Sequence, residues 1–329
     1  MEHRSLGPSG PAVSAIGLGC MGMSEFYGPR SDDSSLETLA AALDAGIDFF
    51  DTADTYGHGH NEALLGRFLK GRRDRVVIAT KFGIVRAPGA YERRIDNSPA
   101  HVAAACDASL KRLGVETIDL YYAHRIDPAR PIEETVGAMA RLVEAGKVRH
   151  LGLSEVSAAT LRRAAAVHPI AAVQSEYSLW TRDPEADGVM DACRDLGTAF
   201  VAYSPLGRAF LTGTLRRPDD LAADDVRRAL PRFQDAAMAR NLDLAAGLAA
   251  LATARAVTPA QMALAWLLAK QPHAIAIPGT TKAARARENA AASAIVLTGE
   301  EMAALDALFP LGAATGARYT PEGMKGVGS

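Results

Sequence analysis

Two groups of residues in this chain have types and spacing suited to chemistry. The first is the run GLGCMG, where Gly17, Gly19 and Gly22 stand at the G-x-G-x-x-G spacing of a dinucleotide-binding turn. Such a turn follows a strand, opens a helix at once, and is answered by an acidic residue about 20 positions on. Here the strand is present, but a loop closed by Gly28-Pro29 follows, helix begins only near Ser34, and the next strand ends late, at Asp51. The glycines are better read as a turn where backbone passes close to a neighbour. The second group is Asp51, Tyr56, Lys81 and His124, a carboxylate, a phenol, an ammonium and an imidazole. These are the side-chain types of general acid–base work. Taken singly, each has a plainer reading: a turn cap, a packed ring, a solvated amine, a structural histidine.

The elements that would position them alternate along the whole chain. Short apolar runs read as buried parallel strands at 13–18, 46–50, 76–80, 118–122, 148–153, 170–174, 199–203 and 274–277. Helical periodicity fills the first six gaps, at 34–45, 61–70, 99–113, 132–145, 158–167 and 184–196. Ser98-Pro99 and Thr258-Pro259 place a capping residue before a first-turn proline. Gly46, Gly114, Gly146 and Gly197 stand where helices should end. Eight such units in one run of 1–329 predict a single (β/α)8 TIM barrel domain, with a doubly wound sheet as the alternative. Residues 1–11, with the turn cluster Gly7-Pro8-Ser9-Gly10, suggest a short N-terminal hairpin under the barrel. Residues 204–235, after the seventh strand, form a connection long enough to act as a lid, and 319–329 look loosely held.

In such barrels, chemistry belongs to the C-terminal ends of strands. Those ends carry Asp51, Lys81, His124, Ser154-Glu155, Gln174, Tyr203-Ser204 and Pro278-Gly279-Thr280. Four acid–base groups converging from separate units are hard to explain by packing. Composition bounds the partners. With 36 basic and 38 acidic residues the net charge is -2, so no strong field recruits nucleic acid or a membrane surface. No apolar run approaches the ~20 residues of a membrane span. The start MEHRSLGPSG has no secretory pattern. Cys20, Cys106 and Cys193 show no C-x-x-C spacing, which argues against zinc and disulfides and suits a reducing cytoplasm. The surface helices carry no apolar pattern that fixes an oligomeric state.

The chain resembles the aldo-keto reductase superfamily over nearly its whole length. The resemblance rests on GIDFFDTADTYGHGHNEALLG at 46–66, VVIATKFG around Lys81, IDLYYAHRID around His124, GKVRHLGLSE before Ser154, YSPLGRAFLTG from Tyr203 and IPGTTKAARARENAAA from Ile277. It is most similar to the bacterial and plant branch that includes pyridoxal reductase-like and auxin-induced-protein-like members. The resemblance implies NADPH-dependent reduction of a small-molecule aldehyde or ketone, with Asp51, Tyr56, Lys81 and His124 as a catalytic tetrad and no metal. Tyr56 would give its proton to the carbonyl oxygen, and His124 would donate to the same atom. Phenols have pKa near 10 and are poor acid–bases at neutral pH, so Lys81, kept charged by Asp51, is expected to lower the Tyr56 pKa. The same groups run backwards as an alcohol or sugar oxidase with NADP. A regulatory subunit of the potassium-channel β type is the non-enzymatic alternative.

The resemblance also implies a cofactor side. Lys282 and Arg285 lie three apart at the start of a helix, where two cations and the helix dipole suit a 2′-phosphate. Gly279 and Thr280 would join them, and Glu288 and Asn289 would contact adenine. Ser154 and Gln174 would hold the carboxamide, and Tyr203 would stack on the nicotinamide. Ser204, Leu206 and Gly207 would line the pyrophosphate, with Arg208 as a cation there. Glu155 stands where many members carry asparagine, and a carboxylate accepts but cannot donate. Phe26, Tyr27 and His58 are candidates for the substrate pocket.

Overall fold

The side chains of each barrel strand alternate between two cores, and that alternation builds the molecule. The computed structural model describes residues 1–87, 90, 92–222 and 225–328. Within it, β3 (Leu18–Gly19), β4 (Phe49–Asp51), β5 (Val77–Phe82), β8 (Ile118–Ala123), β9 (Val148–Ser154), β10 (Ile170–Glu176), β11 (Ala199–Tyr203) and β12 (Ala274–Ile277) form one parallel sheet. Parallel bridges from Ile16 to Ala276 and from Gly19 to Gly279 join its two edges, so the sheet closes into a (β/α)8 barrel. Phe49, Ala79, Leu120, Tyr122, Val201 and Ile275 fill the interior. Their neighbours Phe50, Ile78, Tyr121, Phe200 and Ala274 pack outward under the helices. Removing each large side chain from water contributes about 1.5–3 kcal/mol.

Helices α1 (Asp32–Asp44), α2 (His60–Leu69), α3 (Pro99–Leu113), α4 (Ile132–Glu144), α5 (Ala158–Val167) and α6 (Val189–Leu196) follow successive strands, and α7 (Asp235–Ala254) and α8 (Pro259–Lys270) together connect β11 to β12. After β12 come α9 (Ala283–Ala291) and α10 (Gly299–Leu308). The Ser98 hydroxyl accepts from the His101 N–H at the start of α3, and Thr258 forms a reciprocal cap with Gln261 at α8. Gly114 and Gly197 end α3 and α6 in the left-handed conformation that glycine tolerates.

Three expectations need correction. The run 13–18 is not one strand: β2 (Ala12–Ser14) pairs with β1 (His3–Ser5) as an antiparallel hairpin, and the barrel is joined by the bridge at Ile16 and by β3 at Leu18–Gly19. Leu6 and Val13 of this hairpin join the interior core, so it plugs the barrel floor, and Arg4 fixes it by donating to the carbonyls of Leu268, Gln271 and Ala274. The helix expected over 184–196 is broken, because Gly188 takes φ +82° and α6 starts only at Val189. The tail is not loose. Arg318 makes a two-pronged ion pair with Glu155, the Gly328 N–H donates to the Glu155 carbonyl, and Tyr319 bonds Tyr203. Ser329 lies outside the described residues, as do Ala223 and Asp224 of the lid candidate. A second hairpin, β6 (Ile84–Val85) with β7 (Arg94–Ile95), was not foreseen. No helix among the described residues is long and apolar enough to cross a membrane.

Candidate active site

Period-two alternation delivers the site. Asp51 follows Phe49, Lys81 follows Ala79, His124 follows Tyr122, Gln174 follows Ala172 and Tyr203 follows Val201, each two residues beyond an interior core position. Their side chains therefore point inward at the C-terminal mouth of the barrel. Asp51, His124, Gln174 and Tyr203, with Tyr56 from the loop after β4, line a cavity of about 420 Å³, and Lys81 is buried behind Asp51 and Tyr56.

Lys81 is fully buried, and its ammonium is satisfied by three acceptors. It donates to the Asp51 carboxylate, to the Thr52 carbonyl at 2.8 Å and to the Tyr56 hydroxyl at 3.3 Å. The second Asp51 oxygen accepts from Gln174 at 2.7 Å. Burial pushes Lys81 below and Asp51 above their ordinary pKa values, and their mutual attraction opposes both shifts. The His124 ring meets the Tyr56 ring edge-on, with centroids 5.7 Å apart. Its Nδ1 is buried without a hydrogen-bond partner. Burial and the neighbouring Lys81 and Arg125 charges hold this imidazole well below its ordinary pKa, so it is neutral. The expected lowering of the Tyr56 pKa is not found. Burial and then the Asp51 and Glu25 carboxylates push the phenol well above its ordinary value. Removing the phenolate from water is the largest cause, and the Asp51 charge held beside Lys81 adds to it.

The cavity continues from this polar floor to the start of α9. Ser154, Gln174, Tyr203, Ser204, Leu206 and Arg208 line it, followed by Gly279, Thr280, Lys282 and Arg285. Lys282 and Arg285 are exposed, and neither has a carboxylate partner among the described residues. The loop after β11 is strained: Ser204, Gly207, Arg208 and Ala209 all have φ between +49° and +75°. Three of these carry side chains, and backbone strain of this kind concentrates at ligand sites. Phe26 and Glu155 add two more left-handed residues around the same mouth, at φ +77° and +56°.

Other expected residues fall elsewhere. The Arg208 guanidinium is bound to the buried Glu176 at 2.6 Å and lies over the Tyr319 ring, so its charge is already matched. Gly207 packs its backbone against Trp180 rather than lining the cavity. Glu288 accepts from the Thr258 hydroxyl at 2.6 Å and Asn289 is buried, both off the cavity wall. Phe26 and Tyr27 line the cavity, whereas His58 is exposed outside it. Of the early glycines, Gly17 faces Phe49 and Ile277 inside the barrel, and Gly19 abuts Ile277 and Gly279, where a Cβ would come within 2.9 Å of backbone. They allow the first strand to close against the last. The lid candidate crosses the mouth: the Val226 N–H donates to the Phe26 carbonyl, and Arg227 stacks on Tyr27.

Sequence reasoning missed Arg125, Arg86 and Tyr319, which all line the cavity. Arg125 directly follows His124 and was legible from position alone. Tyr319 carried no local signal, because only the docked tail brings it to Tyr203. Among the described residues no group of three or more metal-type side chains is placed to hold an ion.

The chain matches the Aldo/keto reductase family over residues 15–309. It is 44% identical over 313 residues to the aldo-keto reductase yakc [NADP(+)] of Schizosaccharomyces pombe, covering 94% of this chain and 92% of that one. The glycerol dehydrogenase AKR11B4 from Gluconobacter oxydans superposes with a TM-score of 0.85 at 30% identity, covering 97% of both chains. An aldo-keto reductase from Klebsiella pneumoniae solved with NADPH superposes with a TM-score of 0.74 at 30% identity, covering 97% of this chain and 99% of that one.

Proposed function

The chain belongs to the aldo/keto reductase family, and from that premise we propose that it reduces an aldehyde or ketone to the alcohol with NADPH as hydride source. One observation carries the reading: the Lys81 ammonium bonds Asp51 and Tyr56 together, with the His124 ring against Tyr56, on the floor of a cavity whose rim holds unpaired cations. The residues fit the cofactor. Lys282, Arg285 and Thr280 at the start of α9 suit a 2′-phosphate, and the left-handed backbone at Ser204, Gly207, Arg208 and Ala209 suits a diphosphate, as anion-binding nests do. Ser154 and Gln174 lie where the carboxamide would be held, and Tyr203 where the nicotinamide would stack. Bound there, the nicotinamide supplies hydride to the carbonyl carbon.

The chain's own groups manage the proton. Neutral His124 donates a hydrogen bond to the carbonyl oxygen and favours the charge that develops on it. Tyr56, kept protonated by its surroundings, releases its proton to that oxygen, because an alkoxide is a stronger base than a phenolate. Lys81 then stabilises the phenolate, and Asp51 holds Lys81 charged and aimed. The same groups in reverse would oxidise an alcohol, the reaction named for the Gluconobacter relative, with the direction set by the ratio of oxidised to reduced cofactor. The test is to follow NADPH consumption and alcohol formation over a panel of aldehydes and ketones. Turnover is expected for some members. Tight NADPH binding with no turnover of any member would favour a regulatory, non-catalytic role instead.

A further inference from the structure

Four arginines at the mouth of the barrel are matched to carboxylates. Arg86 pairs with Glu25, Arg208 with Glu176, Arg227 with Asp225 and Arg318 with Glu155. Arg125 lines the same cavity and is only 5% exposed. Among the described residues no carboxylate lies within 4.0 Å of its guanidinium. Its Nη1 is occupied, donating to the His124 carbonyl at 2.7 Å and to the Ser154 hydroxyl at 3.2 Å. Its Nη2 makes no hydrogen bond, and Nε is buried without a partner. Nε is closed off from the cavity, so Nη2 is the end of the guanidinium left to take a carboxylate oxygen in a charge-assisted bond.

A buried guanidinium with no carboxylate in contact is costly; the field of Glu155 reaches Arg125, but that carboxylate is gripped by Arg318, and an anion in direct contact recovers the cost. The position of Arg125 says which anion. It is the residue after His124, its charge acts on both Tyr56 and His124, and its stem is covered by the docked tail at Gly326. An anion on its free end is thus held beside the atoms that would activate a carbonyl, on the reaction side of the cavity and away from Lys282 and Arg285. A single cation, rather than a cluster of them, suits a carboxylate over a phosphate.

We propose that the carbonyl substrate of this protein bears a carboxylate, which docks on Nη2 of Arg125 while the carbonyl oxygen lies at Tyr56 and His124. The inference rests on the reductase reading and narrows it to oxo-acids, above all aldehydes with a carboxylate within a few bonds.

The test compares 4-oxobutanoate and 4-carboxybenzaldehyde with their methyl esters in NADPH-dependent reduction, in the native protein and in Arg125→Met and Arg125→Lys. The native protein should favour each acid over its ester by at least tenfold in kcat/KM, chiefly through KM, in line with one charge-assisted pair. Arg125→Met should abolish that ratio, and Arg125→Lys should keep part of it. Binding gives a second readout. Calorimetric titration of 4-(hydroxymethyl)benzoate into the NADP-saturated protein should show binding that Arg125→Met removes, with NADPH affinity retained. No preference for acids in the native protein, or a preference that survives Arg125→Met, would overturn the proposal. So would parallel losses for acid, ester and NADPH, since Arg125 would then merely brace Ser154. Carboxylate binding that depends on Arg125 without any turnover would support the anion site and refute the reductase reading, so the two failures are distinguishable.

Discussion

Lys81 shows what a residue must do to be kept as a cation inside a barrel. Its three hydrogen-bonding directions are taken by Asp51, Thr52 and Tyr56, leaving no N–H unpaired. Asp51 in turn is restrained by Gln174 from the sixth barrel strand, so two ends of the barrel are tied through one carboxylate. Electrostatics then divides the labour between phenol and imidazole: Tyr56 stays protonated as the acid, and His124 stays neutral as a hydrogen-bond donor. A pH prediction follows from the His124 shift. Its pKa lies well below the ordinary 6.5, so the imidazole is already neutral there and its charge state does not change as pH rises through that value. The kcat of reduction should show no inflection near pH 6.5, measured at saturating NADPH and carbonyl. Activity that falls as pH rises through that region would mean that imidazolium is the active form. Asp51, Lys81 and His124 were legible in the sequence because they stand at strand ends, and Tyr56 because it follows Asp51 in a glycine-bearing loop. The sign of the Tyr56 shift was not, because it is set first by burial and then by the carboxylates that the fold brings beside it.

At the scale of elements, two segments make predictions of their own. The start of α9 carries Lys282 and Arg285 without carboxylate partners, and replacing both by alanine should weaken NADPH by roughly a hundredfold or more, as expected for two charge-assisted contacts. NADH, lacking the 2′-phosphate, should change by only a few-fold; equal losses in fluorescence titrations would remove the assignment. The tail is the second segment. Glu155 is buried in a left-handed conformation, and Arg318 is its ion-pair partner. Arg318→Ala should cost about 3–5 kcal/mol in denaturant unfolding, the usual result of leaving a buried charge alone. Arg318 and Arg125 hold the folded Glu155 pKa below the ordinary 4.5 against the opposing effect of burial. The stabilisation is therefore complete above about pH 4.5 and is lost as pH falls through the lower folded value. The gap between native protein and Arg318→Ala should shrink on acidification; a gap that widens would contradict the pairing. Neither Arg318 nor Tyr319 was legible as part of the mouth, since a tail with no apolar periodicity reads as loose until its partner, here a buried glutamate, is known. Thr258, Ser98 and Gly114 were legible, because capping is written in adjacent residues.

For the whole molecule, most of the architecture could be read from alternation of strand and helix, and the fine structure could not. The barrel, the helix ends and the strand-end positions of Asp51, Lys81 and His124 follow from local pattern. The hairpin on the floor was read from its turn cluster, but its second strand was not: Val13 belongs to it and not to the barrel, and an apolar run alone does not reveal which neighbour it pairs with. Nor does a glycine spacing reveal what the backbone approaches; Gly17 and Gly19 serve barrel closure, although the same spacing elsewhere holds a dinucleotide. Strain supplies the missing global signal. Six of the seven left-handed non-glycine residues among those described, Phe26, His58, Glu155, Ser204, Arg208 and Ala209, lie in the loops at one end of the barrel. The central claim is that the Tyr56 hydroxyl delivers the proton at that end. It is tested most directly by single-turnover reduction in Tyr56→Phe at saturating NADPH, with NADPH affinity measured on the same sample. The rate should fall on the order of 10³-fold, within the range of a lost general acid, while NADPH binds as before. A rate within a few-fold of the native protein would contradict the account.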